Sequence, residues 1–299
     1  MINIKKISIV ILLFLQSCME PDTEKLWGIS IENIFETKGF ARSVIVEGSR
    51  AYVAAGQSGT QIWDLEENTL LKDFTGYEEG GTFLEFQDLA LIGRDPVNSL
   101  LFLSESNQDV KIFHLDETDS LIYRNTIMSA RTKDFVSFPS IQDQFVMYSA
   151  DNDDGLKWHF YNLDSTSSFG IEFIEWTPYG GSEIYTPGKP LGIDSDGESL
   201  IAMAVDQLGV ELLSIDSLGA DPVLIGRVDT QGNAEKVTLT SSGVFVACDN
   251  AGPTRLEFIS RYPVLKKKNK SNPYSYRIIV DDQDTICLLY TSDAADEKV

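Results

Sequence analysis

From position 41 to 65 the chain alternates apolar runs with tight polar turns. Residues 43–47, 51–55 and 60–65 are rich in Val, Ile, Ala and aromatic side chains. Gly48-Ser49 and Gly56-Gln-Ser-Gly59 separate them, residues able to take positive φ in tight turns. A fourth run, 70–74, follows. Short apolar runs bounded by such turns predict antiparallel strands. The same pattern returns near 88–115, 133–163, 190–215 and 235–261. Leu65, Leu115, Leu163, Ile215 and Arg261 occupy the same point of each copy, so the steps are 50, 48, 52 and 46 residues.

Strand-only repeats of this length predict the blades of a β-propeller. The expected fold is all-β, with four-stranded antiparallel blades. The first three strands of the later copies are expected at 89–92, 99–103 and 110–115, at 135–138, 144–148 and 156–163, at 191–194, 199–204 and 210–215, and at 236–239, 244–248 and 255–259. A sixth copy opens at Tyr276 and is cut short, which predicts five full blades plus a truncated sixth, in a parent of six or seven. Phe35-Glu-Thr-Lys-Gly-Phe-Ala41 echoes Val228-Asp-Thr-Gln-Gly-Asn-Ala234. The echo makes 26–35 an expected outer strand, poised to close the ring.

The termini read differently. Residues 1–17 carry Lys5 and Lys6 and then seven consecutive apolar residues, 9–15, which predicts a signal peptide too short to span a bilayer. Leu15-Gln-Ser-Cys18 resembles the bacterial lipobox, with Gln16 where a small or apolar residue is usual. That resemblance implies cleavage before Cys18 and lipid attachment there; a secreted protein with an incidental cysteine is the alternative. Residues 18–25 then form a polar tether, and Met19 after the cysteine favours the outer membrane. The propeller domain is assigned to 26–286. Residues 287–299 are expected to be a non-native tail, because Cys287-Leu-Leu-Tyr-Thr-Ser-Asp-Ala-Ala-Asp-Glu297 resembles a translated sequencing-library adapter.

The 299 residues, 42% hydrophobic, suffice for a substantial core. With 46 acidic against 24 basic residues the net charge is −22, which repels nucleic-acid phosphates and anionic lipid surfaces. Three cysteines, Cys18, Cys248 and Cys287, make no disulfide framework, and Cys248 reads as a buried small hydrophobe.

Residues 41–65, with Val44-Ile-Val, Ala51-Tyr-Val-Ala-Ala-Gly and Gly59-Thr-Gln-Ile-Trp-Asp-Leu, resemble the LVIVD repeat of prokaryotic surface proteins. The match is fair at 190–215 and loose elsewhere. Asp64 of the motif becomes His114, Asn162, Ser214 and Ser260 in the later copies. The resemblance implies a propeller on the cell surface or in the periplasm, and it brings no catalytic residues with it.

Candidate chemistry is sparse. His114 and His159 lie in third strands, away from the channel, and two histidines fall short of a zinc site. Asp151-Asn-Asp-Asp-Gly155 has oxygen ligands in a pattern that suits calcium, yet lacks the full EF-hand spacing and serves equally as a hairpin turn. Asp281-Asp-Gln-Asp284 is a weaker version. Trp63, Phe113, Tyr161, Leu213 and Ile259 share one third-strand slot, which reads as packing between blades. Trp176, Pro178, Tyr179 and Tyr185 read as an irregular loop between the third and fourth blades, a contact for protein or sugar or a loop folded onto the ring. Lys266-Lys-Lys-Asn-Lys270 reads as a solvated hairpin tip. No metal, cofactor or catalytic residue is assigned; Cys18 is the one site residue.

The sequence therefore predicts a lipid-anchored extracytoplasmic propeller, an outer-membrane lipoprotein that is periplasmic or surface-exposed. Its expected role is a binding or scaffolding module for a protein or glycan ligand, with no nucleic-acid partner. A carbohydrate-active hydrolase or lyase using channel carboxylates is the alternative, and a subunit of an envelope assembly is a third.

Overall fold

A computed structural model describes residues 34–128, 131–138, 141–168, 171–217, 220–240 and 243–257, together with two strands at 276–280 and 286–290. Contacts divide the chain into Met1–Glu36 and Thr37–Val299. All but Ile34, Phe35 and Glu36 of the first unit lie outside the described residues, and with them Cys18, the tether and nearly all of the expected outer strand 26–35. Every sheet belongs to the second unit.

The first sheet is β1 (Ser43–Glu47), β2 (Arg50–Ala54), β3 (Thr60–Asp64) and β4 (Thr69–Phe74), hydrogen-bonded in that order. A two-stranded insertion comes next, β5 (Gly76–Glu79) and β6 (Thr82–Glu85). The second sheet is β7 (Leu89–Asp95), β8 (Leu100–Glu105), β9 (Val110–Leu115) and β10 (Leu121–Ile127). The third is β11 (Thr132–Ser137), β12 (Gln144–Asp151), β13 (Gly155–Ser168) and β14 (Ile171–Ile184). The fourth is β15 (Pro190–Ser195), β16 (Leu200–Val205), β17 (Val210–Ser214) and β18 (Val223–Val228). The fifth begins with β19 (Ala234–Thr240), β20 (Gly243–Cys248) and β21 (Gly252–Glu257). The hairpin β22 (Tyr276–Val280) and β23 (Ile286–Tyr290) then lies between β18 and β21, parallel to each, and joins the fourth and fifth sheets into one nine-stranded sheet. Each sheet is a blade of an all-β propeller. The segment from Tyr276 that reads as a sixth copy is this hairpin.

Alternation explains the packing. Side chains of a strand point to opposite faces at every second residue, so a strand buried on both sides reads as continuously apolar. Strand β8 does so: Leu101 and Leu103 pack toward the first blade with Tyr52, Ile62 and Phe113, while Leu100 and Phe102 pack toward the third with Phe145 and Met147. Strands β12 and β16 repeat this. Val146 and Tyr148 meet Ile193, Ile201 and Met203 between the third and fourth blades. Ala202 and Ala204 meet Val237, Val244 and Val246 between the fourth and fifth. Four inter-blade cores thus hold five blades, each fully buried Leu, Ile or Phe contributing about 1.5–3 kcal/mol.

One backbone device recurs at the turn into the third strand. Gly59 has φ +78°, and a Cβ there would lie 1.9 Å from the Phe74 carbonyl oxygen; Gly209 has φ +77° and would meet the Val228 oxygen at 2.1 Å. Glycine is required at both for conformation and for space. These turns also tie blade to blade. Gly56 and Leu89 exchange two backbone hydrogen bonds of 3.1 Å, and Ala234 donates to the Asp206 carbonyl at 2.9 Å. The echo between 35–41 and 228–234 is structural as well. Thr37 Oγ1 donates to the Gly39 carbonyl at 3.1 Å and Thr230 Oγ1 to the Gly232 carbonyl at 2.6 Å, so one turn leads into both the first and the fifth blade.

Candidate functional site

The innermost strands β1, β7, β11, β15 and β19 each leave one edge unpaired, and an unpaired edge needs hydrogen-bond partners. Carboxylates supply several. Asp134 Oδ1 accepts from the Phe135 amide of its own strand at 3.1 Å, and Oδ2 accepts from the Ile193 amide of the next blade at 3.2 Å. Asp194 repeats the arrangement one blade on, with Oδ1 on the Ser195 amide at 2.9 Å and Oδ2 on the Leu239 amide at 2.8 Å. Lys236 reaches from β19 past β15 to Asp134 Oδ2 at 2.8 Å. Gly192 makes room for that crossing, since a Cβ there would lie 2.8 Å from both Glu235 O and Lys236 Cα. Between the first two blades, Arg94 Nε donates to Glu47 Oε2 at 3.0 Å, and its guanidinium also donates to the Leu100 carbonyl at 2.8 Å.

Burial, reinforced by the charge of Asp134, pushes the Asp194 carboxyl above the usual carboxylate range, against two amides that favour its ionised form. Asp134 and Asp194 thus stand on adjacent inner strands, β11 and β15. Both are committed to backbone amides. Neither is among the candidates read from the sequence, although an Asp inside an apolar strand, as in Ile193-Asp194, is a signal because strands are depleted in Asp.

The two histidines lie in β9 and β13, as expected of third-strand residues. Burial and nearby Arg124 lower His114. Burial and then Lys157 lower His159 to about 4, and its buried Nε2 has no hydrogen-bond partner. Among the described residues, no group of three or more His, Cys, Asp or Glu side chains could hold a metal ion. The Asp151–Gly155 turn is the hairpin between β12 and β13, and cations already engage its acids. Lys157 Nζ lies 2.5 Å from Asp154 and 3.6 Å from Asp151, and Arg131 lies 3.0 Å from Asp153. Cys248 is buried and free.

The shared third-strand slot is inter-blade packing at Phe113, Tyr161 and Leu213, which are buried, with Phe145 stacked on Tyr161 at 5.1 Å between centroids; Trp63 is half-buried, and Ile259 lies outside the described residues. The expected irregular loop carrying Trp176 to Tyr185 is instead largely β14, the outer strand of the third blade, paired along its length with β13. Thirteen pairs between β13 and β14 outweigh the breaking tendency of Pro178 and Gly180-Gly181, which sit at and beside a bulge. Trp176 is buried beneath Phe145, whereas Tyr179 is 72% and Tyr185 76% exposed on the rim. The basic run 266–270 and the acidic run 281–284 lie outside the described residues.

No protein-family model matches the chain, and no curated protein is similar to it. Solved structures are. U3-55K superposes with a TM-score of 0.56 at 11% identity, over 75% of this chain and 63% of that one. A Cps50 (Swd1) β-propeller domain from Myceliophteria thermophila gives 0.48 at 12% identity, over 74% of this chain and 84% of its own. A computationally designed protein, Ika8, gives 0.45 at 9%, over 83% and 70%. The chain spans less than two thirds of the U3-55K chain, and the likeness concerns the fold.

Proposed function

We propose that this propeller is a binding or scaffolding module, held outside the cytoplasm by lipid on Cys18 and anchored in the outer membrane. The observation that carries the module reading is the use made of the inner-strand acids. Asp134 and Asp194 each accept from an amide of their own strand through Oδ1 and from an amide of the next blade through Oδ2, and Glu47 is paired with Arg94. Acids so engaged hold a ring together, and binding then falls to exposed rims such as Tyr179 and Tyr185. A propeller fold suits such a role. The lipid anchor rests on Leu15-Gln-Ser-Cys18 and the preceding apolar run. Metabolic labelling with a fatty-acid analogue tests it: label retained in Cys18→Ser would remove the anchor from the account.

A second reading, a carbohydrate-active hydrolase or lyase, is favoured by the raised carboxyl of Asp194, since a carboxyl raised by burial suits a general acid, with a second carboxylate at Asp134 on the adjacent strand. Turnover assays on a glycan panel separate the two. The module reading predicts no cleavage; cleavage lost in Asp194→Asn but retained in Tyr179→Ala would establish the enzyme.

A further inference from the structure

One third-strand position, two residues before the shared packing slot, is polar in each of the first four blades: Gln61, Lys111, His159 and Glu211. Three of these side chains are paired within the chain. Gln61 donates through Nε2 to the Lys38 carbonyl at 3.0 Å and accepts from Trp63 Nε1 at 3.2 Å. Lys111 Nζ lies 3.4 Å from Glu105 Oε2. Glu211 Oε1 accepts from Thr186 Oγ1 and from Arg227 Nε, both at 2.9 Å. His159 is the exception, because its buried Nε2 has no hydrogen-bond partner. The outer strand differs at the same place. Asp73, Thr126 and Arg227 are the cross-strand partners of Gln61, Lys111 and Glu211, whereas that of His159 is Gly181. A Cβ at Gly181 would lie 2.6 Å from the Trp158 carbonyl oxygen, which excludes a side chain there.

An open cleft of about 520 Å³ lies here, lined by Met128, Lys157, His159, Gly181, Ser182 and Glu183. Its size is that of a small-molecule site. Lys157 and Glu183 are cross-strand partners of opposite sign, so their charges balance. Lys157 is also held by Asp151 and Asp154. Burial keeps the His159 imidazole neutral down to about pH 4, and a neutral imidazole offers one donor and one acceptor. Balanced charge, mixed donors and acceptors, and an apolar edge at Met128 suit a neutral molecule rich in hydroxyls, each of which both donates and accepts. We propose that the cleft is a saccharide site, in which one sugar hydroxyl gives His159 the partner that the other three blades find internally. The Glu183 carboxylate accepts from a second hydroxyl. This rests on the binding-module reading and names the class of its ligand.

Isothermal titration calorimetry of the full chain tests this, with maltose, cellobiose and lactose as probes and glucuronic acid and glucosamine as charged counterparts. Expected is saturable binding of at least one neutral disaccharide, weaker binding of both charged sugars, and a shift of the His159 imidazole nitrogen signals on binding. Affinity should fall about tenfold in His159→Phe and in Glu183→Gln. Glu183 is exposed, so its variant keeps the fold even where His159→Phe does not. Tyr179 rests on Phe160, whose side chain points to the opposite face from His159, and Tyr179→Ala should bind as the wild type does. Absence of saturable binding by all three disaccharides would overturn the proposal, as would binding unchanged in both cleft variants. Binding that survives them and is lost in Tyr179→Ala would remove the cleft and leave the module standing. Turnover of a bound sugar, lost in Asp194→Asn, would remove the module reading and this proposal with it.

Discussion

The second blade and the first are made from the same pattern but live in different surroundings. Strand β8 of the second has Leu100, Leu101, Phe102 and Leu103 buried on alternating sides, each side closed by another blade. Strand β1 of the first turns Ile45 into a core while Val44 and Val46 face water. A repeat cannot bury both faces alone, so the stability of each blade resides largely in its junctions. Mutations of similar chemistry should therefore differ in cost according to the blade that carries them.

The largest effect is expected at the doubly covered strand. Phe102→Ala removes a ring that contacts Phe135 and Phe145, and should destabilise by about 3–5 kcal/mol in urea unfolding, whereas Val46→Ala should cost less than about 0.5 kcal/mol. Comparable costs for the two would abolish the distinction between the blades. Next, Gly209→Ala combines positive φ with a contact to the Val228 oxygen and should cost about 2–3 kcal/mol. An alanine variant with wild-type stability would show that the turn relaxes freely.

The third comparison sets His159 of the third blade against His114 of the second. Folding lowers His159 from its usual value to about 4, so the unfolded chain binds the proton more tightly. Stability from this group is complete above about pH 6.5 and is lost as the pH falls toward 4. The loss is about 2 kcal/mol after allowing for solvent screening. His159→Gln should flatten that part of the pH–stability curve more than His114→Gln does, and equal slopes would remove the special burial of His159. The smallest effect concerns Asp194, whose carboxyl folding raises. Its protonated form is favoured in the folded state, so the ionised form carries a cost that grows as the pH rises through the raised value. Asp194→Asn, which keeps one acceptor oxygen, should gain on the wild type as the pH rises from about 4 through the raised value. A loss over that range would reverse the assignment.

Much of this architecture was legible in the sequence because period-2 burial writes itself directly into residue order. The expected 43–47 and 110–115 coincide with β1 and β9, and most other inner, second and third strands begin and end within a few residues of expectation. Outer strands were harder to read. In β10 a bulge between Tyr123 and Asn125 breaks the alternation, and in β14 Pro178 and Gly180-Gly181 mimic a loop. Among the described residues the β5–β6 hairpin has no counterpart in the other copies, so repetition could not reveal it. The junction acids were hidden for a different reason. Asp134 and Ile193, or Asp194 and Leu239, are 59 and 45 residues apart, and only the radial arrangement of blades makes them neighbours. A further case is the Asp64 position. Asp64 Oδ1 caps the amides of Glu66 and Glu67, and in the second copy the same work falls to Asp116, two residues later than His114, on the amides of Thr118 and Ser120. The motif fades from the aligned position because its task has shifted along the chain.

Native-state hydrogen exchange tests the junction account most directly. The amides of β8, β12 and β16 should exchange only through global unfolding, and those of β1 faster by orders of magnitude through opening of the first blade. Uniform protection across β1, β8, β12 and β16 would contradict it.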